Sequence, residues 1–172
     1  MKGLGYTSYR WGTSLLLLGI LLVAGCQTTE TFFLGYRADH DRTVPLITTD
    51  GSWKSFDLNL TYRMEAETGR LNITGTLDFS LYHQLNSAMI NRLALYLFFL
   101  DDQNQVLQAT NLLSTLHADP ATSFPFAANV AVPPGSRAIA FGYEGQSSED
   151  GGKELGGAGA SFFFSDLPRR PR

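Results

Sequence analysis

The clearest pattern along the chain is an alternation of apolar and polar residues that starts after Trp53. Apolar residues take every second position in three blocks, namely Phe56, Leu58, Leu60, Tyr62 and Met64; Leu71, Ile73, Leu77, Phe79 and Leu81; and Phe124, Phe126, Ala128, Val130 and Val132. Successive side chains of a strand point to opposite faces, so each block predicts a strand with one buried face. We expect the first two blocks to form an antiparallel hairpin, in which Gly75 marks a bulge or the close approach of another side chain.

Residues 93–100 differ from these blocks because they are apolar at every position. This predicts a strand whose second face is covered as well, by another layer or by a loop. Further strands are expected at 106–113, 139–143 and 161–165. About seven strands, with turn residues at regular spacing and no 3.6-residue period, predict an all-β domain that folds as an antiparallel two-sheet sandwich.

A short series of features also resembles a known module. Thr74-Gly75-Thr76, the apolar residues 93–100, the acidic turn Asp101-Asp102 and then Val106 follow one another as in immunoglobulin-like modules of the FxLYD type. The resemblance covers about a third of the chain and contains no exclusive motif. It implies an immunoglobulin-like sandwich and no functional site.

The first 25 residues have the composition of an export signal. Lys2 and Arg10 precede an apolar run at 15–24, and no acidic residue occurs before Glu30. The run is only half as long as the ~20 residues that a membrane-spanning helix needs. A basic start, a short apolar core and small residues at its end are typical of a signal peptide.

Val23-Ala24-Gly25-Cys26 resembles the lipobox of bacterial lipoproteins. The resemblance implies cleavage before Cys26, a diacylglyceryl group on its sulfur and, in many Gram-negative bacteria, a further acyl chain such as palmitate on its amine. Cys26 is the only cysteine, so it cannot form an intramolecular disulfide, and acylation would remove a free thiol from an oxidising compartment. The alternatives are an ordinary secretory signal with a cysteine that follows by chance, and an uncleaved membrane anchor.

The lipobox sets the expected domains and location. Residues 1–25 are the predicted signal peptide, 26–51 a lipidated tether with an edge strand at 43–47, 52–167 the β-sandwich and 168–172 a basic tail. Gln27 after the cysteine resembles the pattern for sorting to the outer membrane, so we expect a lipid-anchored protein of the cell envelope that faces the periplasm. The tail is expected to be solvated, with contact to anionic lipid or lipopolysaccharide as the alternative.

Charge excludes one class of partner. Loss of the signal peptide removes two basic residues and changes the formal net charge from −3 to −5, and the remaining chain has no basic stripe. We therefore expect no binding to nucleic acid. The 147 residues that remain are enough for one domain with a proper core.

Asp39, His40 and Asp41 are the strongest candidates for metal binding or acid–base catalysis. In an extended segment, however, His40 points away from both carboxylates, and the sequence holds no second ligand cluster. His83 and His117 are expected in loops, and motifs such as GxSxG, HExxH, CxxC or a P-loop are absent. We therefore expect no enzyme, cofactor, metal or small-molecule substrate, and keep an envelope hydrolase or metal enzyme at this loop as the alternative.

The residues 162–164, all Phe, raise the question of a partner surface. Phe163 must face opposite its two neighbours, and we expect both faces to be covered. If Phe163 is exposed instead, it would form an apolar patch beside Phe98 or Tyr96. With the loop at 146–159, this patch would suit a non-enzymatic binding or assembly module that recognises another envelope protein or a surface polymer.

Overall fold

The computed structural model describes residues 29–149 and 160–171. The predicted signal peptide at 1–25, Cys26 and most of the predicted loop at 146–159 lie outside the described residues. The described residues form ten strands, β1 Thr29–Glu30, β2 Thr43–Pro45, β3 Thr49–Lys54, β4 Leu58–Glu67, β5 Arg70–Phe79, β6 Met89–Leu100, β7 Val106–Ala118, β8 Phe124–Ala131, β9 Ala138–Ser148 and β10 Ser161–Asp166. The helices are α1, Leu81–Asn86, and two 3₁₀ turns, Thr31–Phe33 and His40–Arg42.

Two antiparallel sheets pack face to face, which confirms the predicted all-β sandwich. One sheet has the order β1-β7-β6-β9-β10, with β2 also paired to β9, and the other has the order β3-β4-β5-β8. From β4 onward the strands follow an immunoglobulin-like order. The strands β4, β5 and β8 take positions A, B and E of one sheet, and β7, β6, β9 and β10 take positions C′, C, F and G of the other.

The β4–β5 hairpin confirms the first alternation. Leu58, Leu60, Tyr62 and Met64 are buried, and their neighbours at 61, 63 and 65 are exposed. The hairpin pairs Tyr62 with Gly75, which β8 in turn pairs with Phe126. A Cβ at Gly75 would overlap the Phe126 ring, so this glycine permits the close approach that the sequence suggested.

Both ends of the hairpin depart from the alternation. Phe56 was expected on the buried face, but it is exposed because the chain turns at Ser55 before β4 begins. The Ser55 hydroxyl accepts hydrogen bonds from the amides of Asp57 and Leu58 and holds that turn. Leu81, expected to end the second strand, instead begins α1 and is exposed.

The strand β6 is buried on both faces, as its unbroken apolar run predicts. One face contributes Leu93, Leu95, Leu97 and Phe99 to the core between the sheets. On the other face lie Tyr96 and Phe98, and the ring of Phe33 covers them at centroid distances of 5.7 and 5.2 Å. A segment that precedes the sandwich therefore caps the outer face of this sheet.

The predicted tether is consequently part of the folded body from Thr29 onward. Thr29 and Glu30 pair with β7, and the expected edge strand forms β2 on β9. Phe33 and Ala38 are buried. Of the three apolar residues at 32–34 that interrupt the polar stretch, Phe33 covers the outer face of β6, whereas Phe32 and Leu34 are exposed.

Candidate functional site

A groove opens at one end of the sandwich, between α1, the turn before β4 and the edge strand β10. Its volume is about 490 Å³. It is lined by Phe56, Asp57, Tyr82, His83, Asn86, Ser87, Ser147, Glu149 and residues 162–165. We call this feature the aromatic groove.

Four aromatic side chains of the groove are exposed to solvent. Phe56 and Tyr82 lie 5.2 Å apart between ring centroids and are 71% and 50% exposed, and Phe162 and Phe163 are 46% and 73% exposed. The expectation that both faces of β10 are covered is therefore wrong. Only Phe164 packs inward, with its ring 4.5 Å from that of His83.

The predicted patch of Phe163 with Phe98 and Tyr96 does not form. Phe163 lies beside Arg92, whose guanidinium is 5.8 Å from the ring centroid. Phe98 and Tyr96 are buried beneath Phe33 on the outer face of the sheet, so they are not available to a partner. The other exposed aromatic residues that line the groove, Phe56 and Tyr82, come from the turn before β4 and from α1.

A buried polar network forms the floor of the groove. His83 Nε2 lies 2.9 Å from Asp57 Oδ1, and the Tyr143 hydroxyl donates to Asp57 Oδ2 at 2.5 Å. His83 Nδ1 lies 3.0 Å from the Ser87 hydroxyl. The neutral tautomer with its proton on Nε2 satisfies both contacts, since Nε2–H donates to the carboxylate and Nδ1 accepts from Ser87.

The network fixes the charge of two of its members. Burial by itself raises the pKa of Asp57, but the hydrogen bonds from His83 and Tyr143 outweigh it, and the pKa lies below the ordinary value of 3.8. Burial, and then the hydrogen bond to Asp57, raises the pKa of Tyr143 above its ordinary 10.0. At neutral pH Asp57 is thus a carboxylate and Tyr143 a neutral donor.

The contacts from Ser87 to His83 and from His83 to Asp57 have the order serine, histidine, carboxylate that a catalytic triad requires. An acyl-transfer site also needs backbone N–H groups free to stabilise an oxyanion. Here the amide of Ser87 donates to the His83 carbonyl, and the amide of Ala88 donates to the Ser148 carbonyl. Both amides nearest the serine are occupied, so the network is better suited to hold α1 on the sandwich than to catalyse.

This interpretation predicts that Ser87 is unreactive. A fluorophosphonate probe, which labels activated serines, is expected to leave the protein unlabelled. Labelling that disappears in both Ser87→Ala and His83→Ala would instead identify a working nucleophile and base.

The loop candidates at Asp39, His40 and Asp41 do not gather into a site. All three are exposed and lie in and before the 3₁₀ turn His40–Arg42. Over the described residues, no group of three His, Cys, Asp or Glu side chains is placed to hold a metal ion. The structure instead brings His83, expected in a loop, onto Asp57 from 26 positions away. No local pattern in the sequence marks that pair.

No helix within the described ranges is long and apolar enough to cross a bilayer. No protein-family model matches the chain, and a comparison with curated proteins finds no significant match.

Proposed function

We propose that this protein is a lipid-anchored, non-enzymatic module of the bacterial cell envelope that captures another envelope protein at the aromatic groove. The resemblance of residues 23–26 to a lipobox supports the anchor and the envelope location, and Gln27 supports sorting to the outer membrane. The observation that carries the binding role is the concentration of exposed apolar side chains at one end of the domain. Phe56, Leu81, Tyr82, Leu85, Phe162 and Phe163 make up six of the ten large hydrophobic residues that are exposed in the described part of the chain.

Part of this surface follows from the spacing of residues on α1. Leu81 and Leu85 are four residues apart and share one face of the helix, and Tyr82 and Asn86 share the neighbouring face that lines the groove. Exposed aromatic groups around a concave surface are typical anchors of protein interfaces, where truncation of one commonly costs about 2 kcal/mol or more of binding free energy. A rigid network beneath them lowers the entropy lost on binding.

The edge strand β10 favours an extended polypeptide as the ligand. It pairs with β9 on one side, and among the described residues no strand pairs with its other side. Free backbone groups on an edge strand can accept a further strand, with side chains of the added strand entering adjacent pockets. The aromatic groove begins at this edge, so a partner strand on β10 would place its side chains against Phe162.

A surface polymer is the second candidate. The groove combines aromatic faces with the polar side chains of Asn86, Ser147 and Glu149, an arrangement that also suits stacking and hydrogen bonding of a sugar. The free edge of β10 favours a protein, because a polysaccharide has no backbone amides to continue the sheet.

Truncation of the groove tests the binding role. Phe56→Ala combined with Tyr82→Ala, and separately Phe163→Ala, are expected to reduce capture of the partner at least tenfold with little change in melting temperature. Their side chains are largely exposed, so they contribute more to binding than to folding. The measurement is a cross-linking pull-down from membranes, identified by mass spectrometry, with thermal melting of each variant.

Ile47→Ala and Leu116→Ala are the matched controls, since both residues are exposed and apolar but lie outside the groove. Simultaneous replacement of Asp39, His40 and Asp41 by Ala or Asn should also leave capture and any envelope phenotype intact. If that triple variant alone abolished activity at an unchanged melting temperature, a metal or catalytic site at this loop would replace the binding module.

The anchor makes a separate prediction. Cys26→Ala removes the acceptor sulfur, so the variant should accumulate as an uncleaved precursor or a mislocalised protein, without incorporated radiolabelled palmitate. Cell fractionation and palmitate labelling measure this directly. A processed species that still fractionates with outer membranes would contradict the lipoprotein assignment.

A further inference from the structure

The described chain begins beside a compact group of apolar and basic side chains. Phe32 and Leu34 are 67% and 50% exposed. They flank the buried Phe33, and the exposed Arg37 follows. Arg169 and Arg170 approach from the other end of the chain and are exposed as well.

Specific contacts join the two ends of the chain. The amide of Arg37 donates to the Arg169 carbonyl at 2.8 Å, and the amide of Arg169 donates to the Arg37 carbonyl at 2.9 Å. Arg170 Nε donates to the Tyr36 hydroxyl at 2.9 Å, with the guanidinium 5.7 Å from the ring centroid. Tyr36 in turn lies 5.9 Å from Phe32 between ring centroids. The basic tail was expected to be solvated, but its residues Arg169 and Arg170 contact the N-terminal segment.

In the described part of the chain, this surface presents three arginine side chains that are not paired with a carboxylate. Within the described residues, Arg37, Arg169 and Arg170 take part in no salt bridge, whereas the neighbouring Arg42 is paired with Asp166. Asp39 lines the same crevice as Arg37 and Arg169, and the acidic turn at Asp101 and Asp102 adjoins Gln105, which pairs with Arg37, so the arginines lie beside acidic side chains. We call Phe32, Leu34, Arg37, Arg169 and Arg170 the anchor-side patch.

The short distance in sequence between the patch and Cys26 indicates that the patch contacts a membrane. Cys26 precedes Thr29 by three positions, and three residues extend over at most about 10 Å. An acylated Cys26, which this step takes from the proposed function, would therefore hold Thr29 within about 10 Å of the bilayer surface and Phe32, three positions further on, within about 20 Å. Aromatic and arginine side chains together suit the interface, where apolar groups enter the headgroup boundary and cations meet anionic headgroups.

We infer that the anchor-side patch is a membrane-contact surface that seats the domain on a bilayer containing anionic phospholipid and points the aromatic groove away from it. The strands place the two features at opposite ends of one sheet. The groove lies where β6 begins and β10 begins, and the patch lies where β6 ends and β10 ends. The 12 residues of β6 span about 35 Å at ~3.3 Å per residue.

The test uses the full lipidated chain in vesicles of phosphatidylcholine and phosphatidylglycerol. Cys26 is the only cysteine and its sulfur is acylated, so an introduced cysteine supplies the single thiol for a fluorophore. Leu34→Cys labels the patch, and Leu85→Cys, also an exposed leucine, is the matched control on α1 at the groove end. We expect quenchers on the lipid acyl chains to quench the label at 34 at least several-fold more strongly than the label at 85.

Replacing Arg37, Arg169 and Arg170 together by Gln should reduce the difference in quenching between the labels at 34 and 85 in vesicles that contain phosphatidylglycerol. The same replacement should have little effect on that difference in pure phosphatidylcholine. The backbone bonds between Arg37 and Arg169 remain available in this variant. If the protein floats with the vesicles but both labels are quenched equally, the membrane-contact surface is wrong and the lipid anchor still stands. Protein that does not float overturns the lipid anchor of the proposed function, and this inference with it.

Discussion

Leu60→Asp is expected to unfold the domain, whereas Thr61→Asp on the opposite face of β4 is expected to leave it folded. Leu60 is 1% exposed and lies in the core between Trp53 and Leu77, its partners on β3 and β5. The core cluster around Leu60 consists of apolar and aromatic side chains, so the new carboxylate would be buried among groups that carry no compensating charge. Such burial costs several kcal/mol, against a total stability of about 5–15 kcal/mol for a typical domain.

Thr61 points to solvent, and its neighbours across the sheet are Ser52 and Thr76. An aspartate there remains hydrated, so its effect should stay under about 1 kcal/mol. Urea unfolding followed by tryptophan fluorescence compares the two variants, since Trp53 is buried in the same core. Equal destabilisation by the two substitutions would contradict the assignment of the faces of β4.

Asp57→Ala should have the second largest effect, a loss of about 3 kcal/mol of the free energy of unfolding. The Asp57 carboxylate accepts hydrogen bonds from both His83 and Tyr143, and all three side chains are buried. Removing it leaves two buried polar groups without their partner, and the penalty of such groups exceeds the modest net gain of the bonds themselves. Because α1 is attached through His83, hydrogen exchange should accelerate first in this helix.

The same carboxylate should make stability depend on pH. The pKa of Asp57 is lower in the folded protein than its ordinary value of 3.8. Its contribution is therefore fully present above about pH 4, and is lost as the pH falls through the lower, folded value. The stability difference between wild type and Asp57→Asn should shrink on acidification, as measured by urea unfolding at a series of pH values.

Asp102→Asn provides the control, because Asp102 is exposed in the turn after β6. The free energy of unfolding of this variant should stay close to that of wild type at every pH. A constant difference for Asp57→Asn down to about pH 2 would show that its ionisation does not contribute to stability.

Parts of the candidate site were accessible from the sequence and parts were not. The alternation of a strand places Phe163 on the face opposite Phe162 and Phe164, so the sequence identifies Phe163 as an aromatic residue that is exposed unless another segment packs on it. The prediction that Phe163 lies beside Phe98 or Tyr96 was wrong. Which segment packs on the outer face of a sheet depends on contacts between residues that are distant in sequence, and here Phe33 packs on Tyr96 and Phe98. Phe56 followed the alternation in sequence, but a local turn at Ser55 moved it into solvent.

Although it predicted neither β3 nor α1, the sequence by itself determined most of the strands, because the period of a strand is a local property that hydrophobic burial imposes on adjacent residues. It therefore predicted the two-sheet sandwich, the β4–β5 hairpin, the close approach at Gly75 and the double cover of β6. Only the tertiary structure decided where the ends of these strands meet. It joined Asp57 to His83 and Tyr143 across 26 and 86 positions and brought Arg37 to Arg169, since such contacts depend on sheet order and leave no periodic trace in the chain.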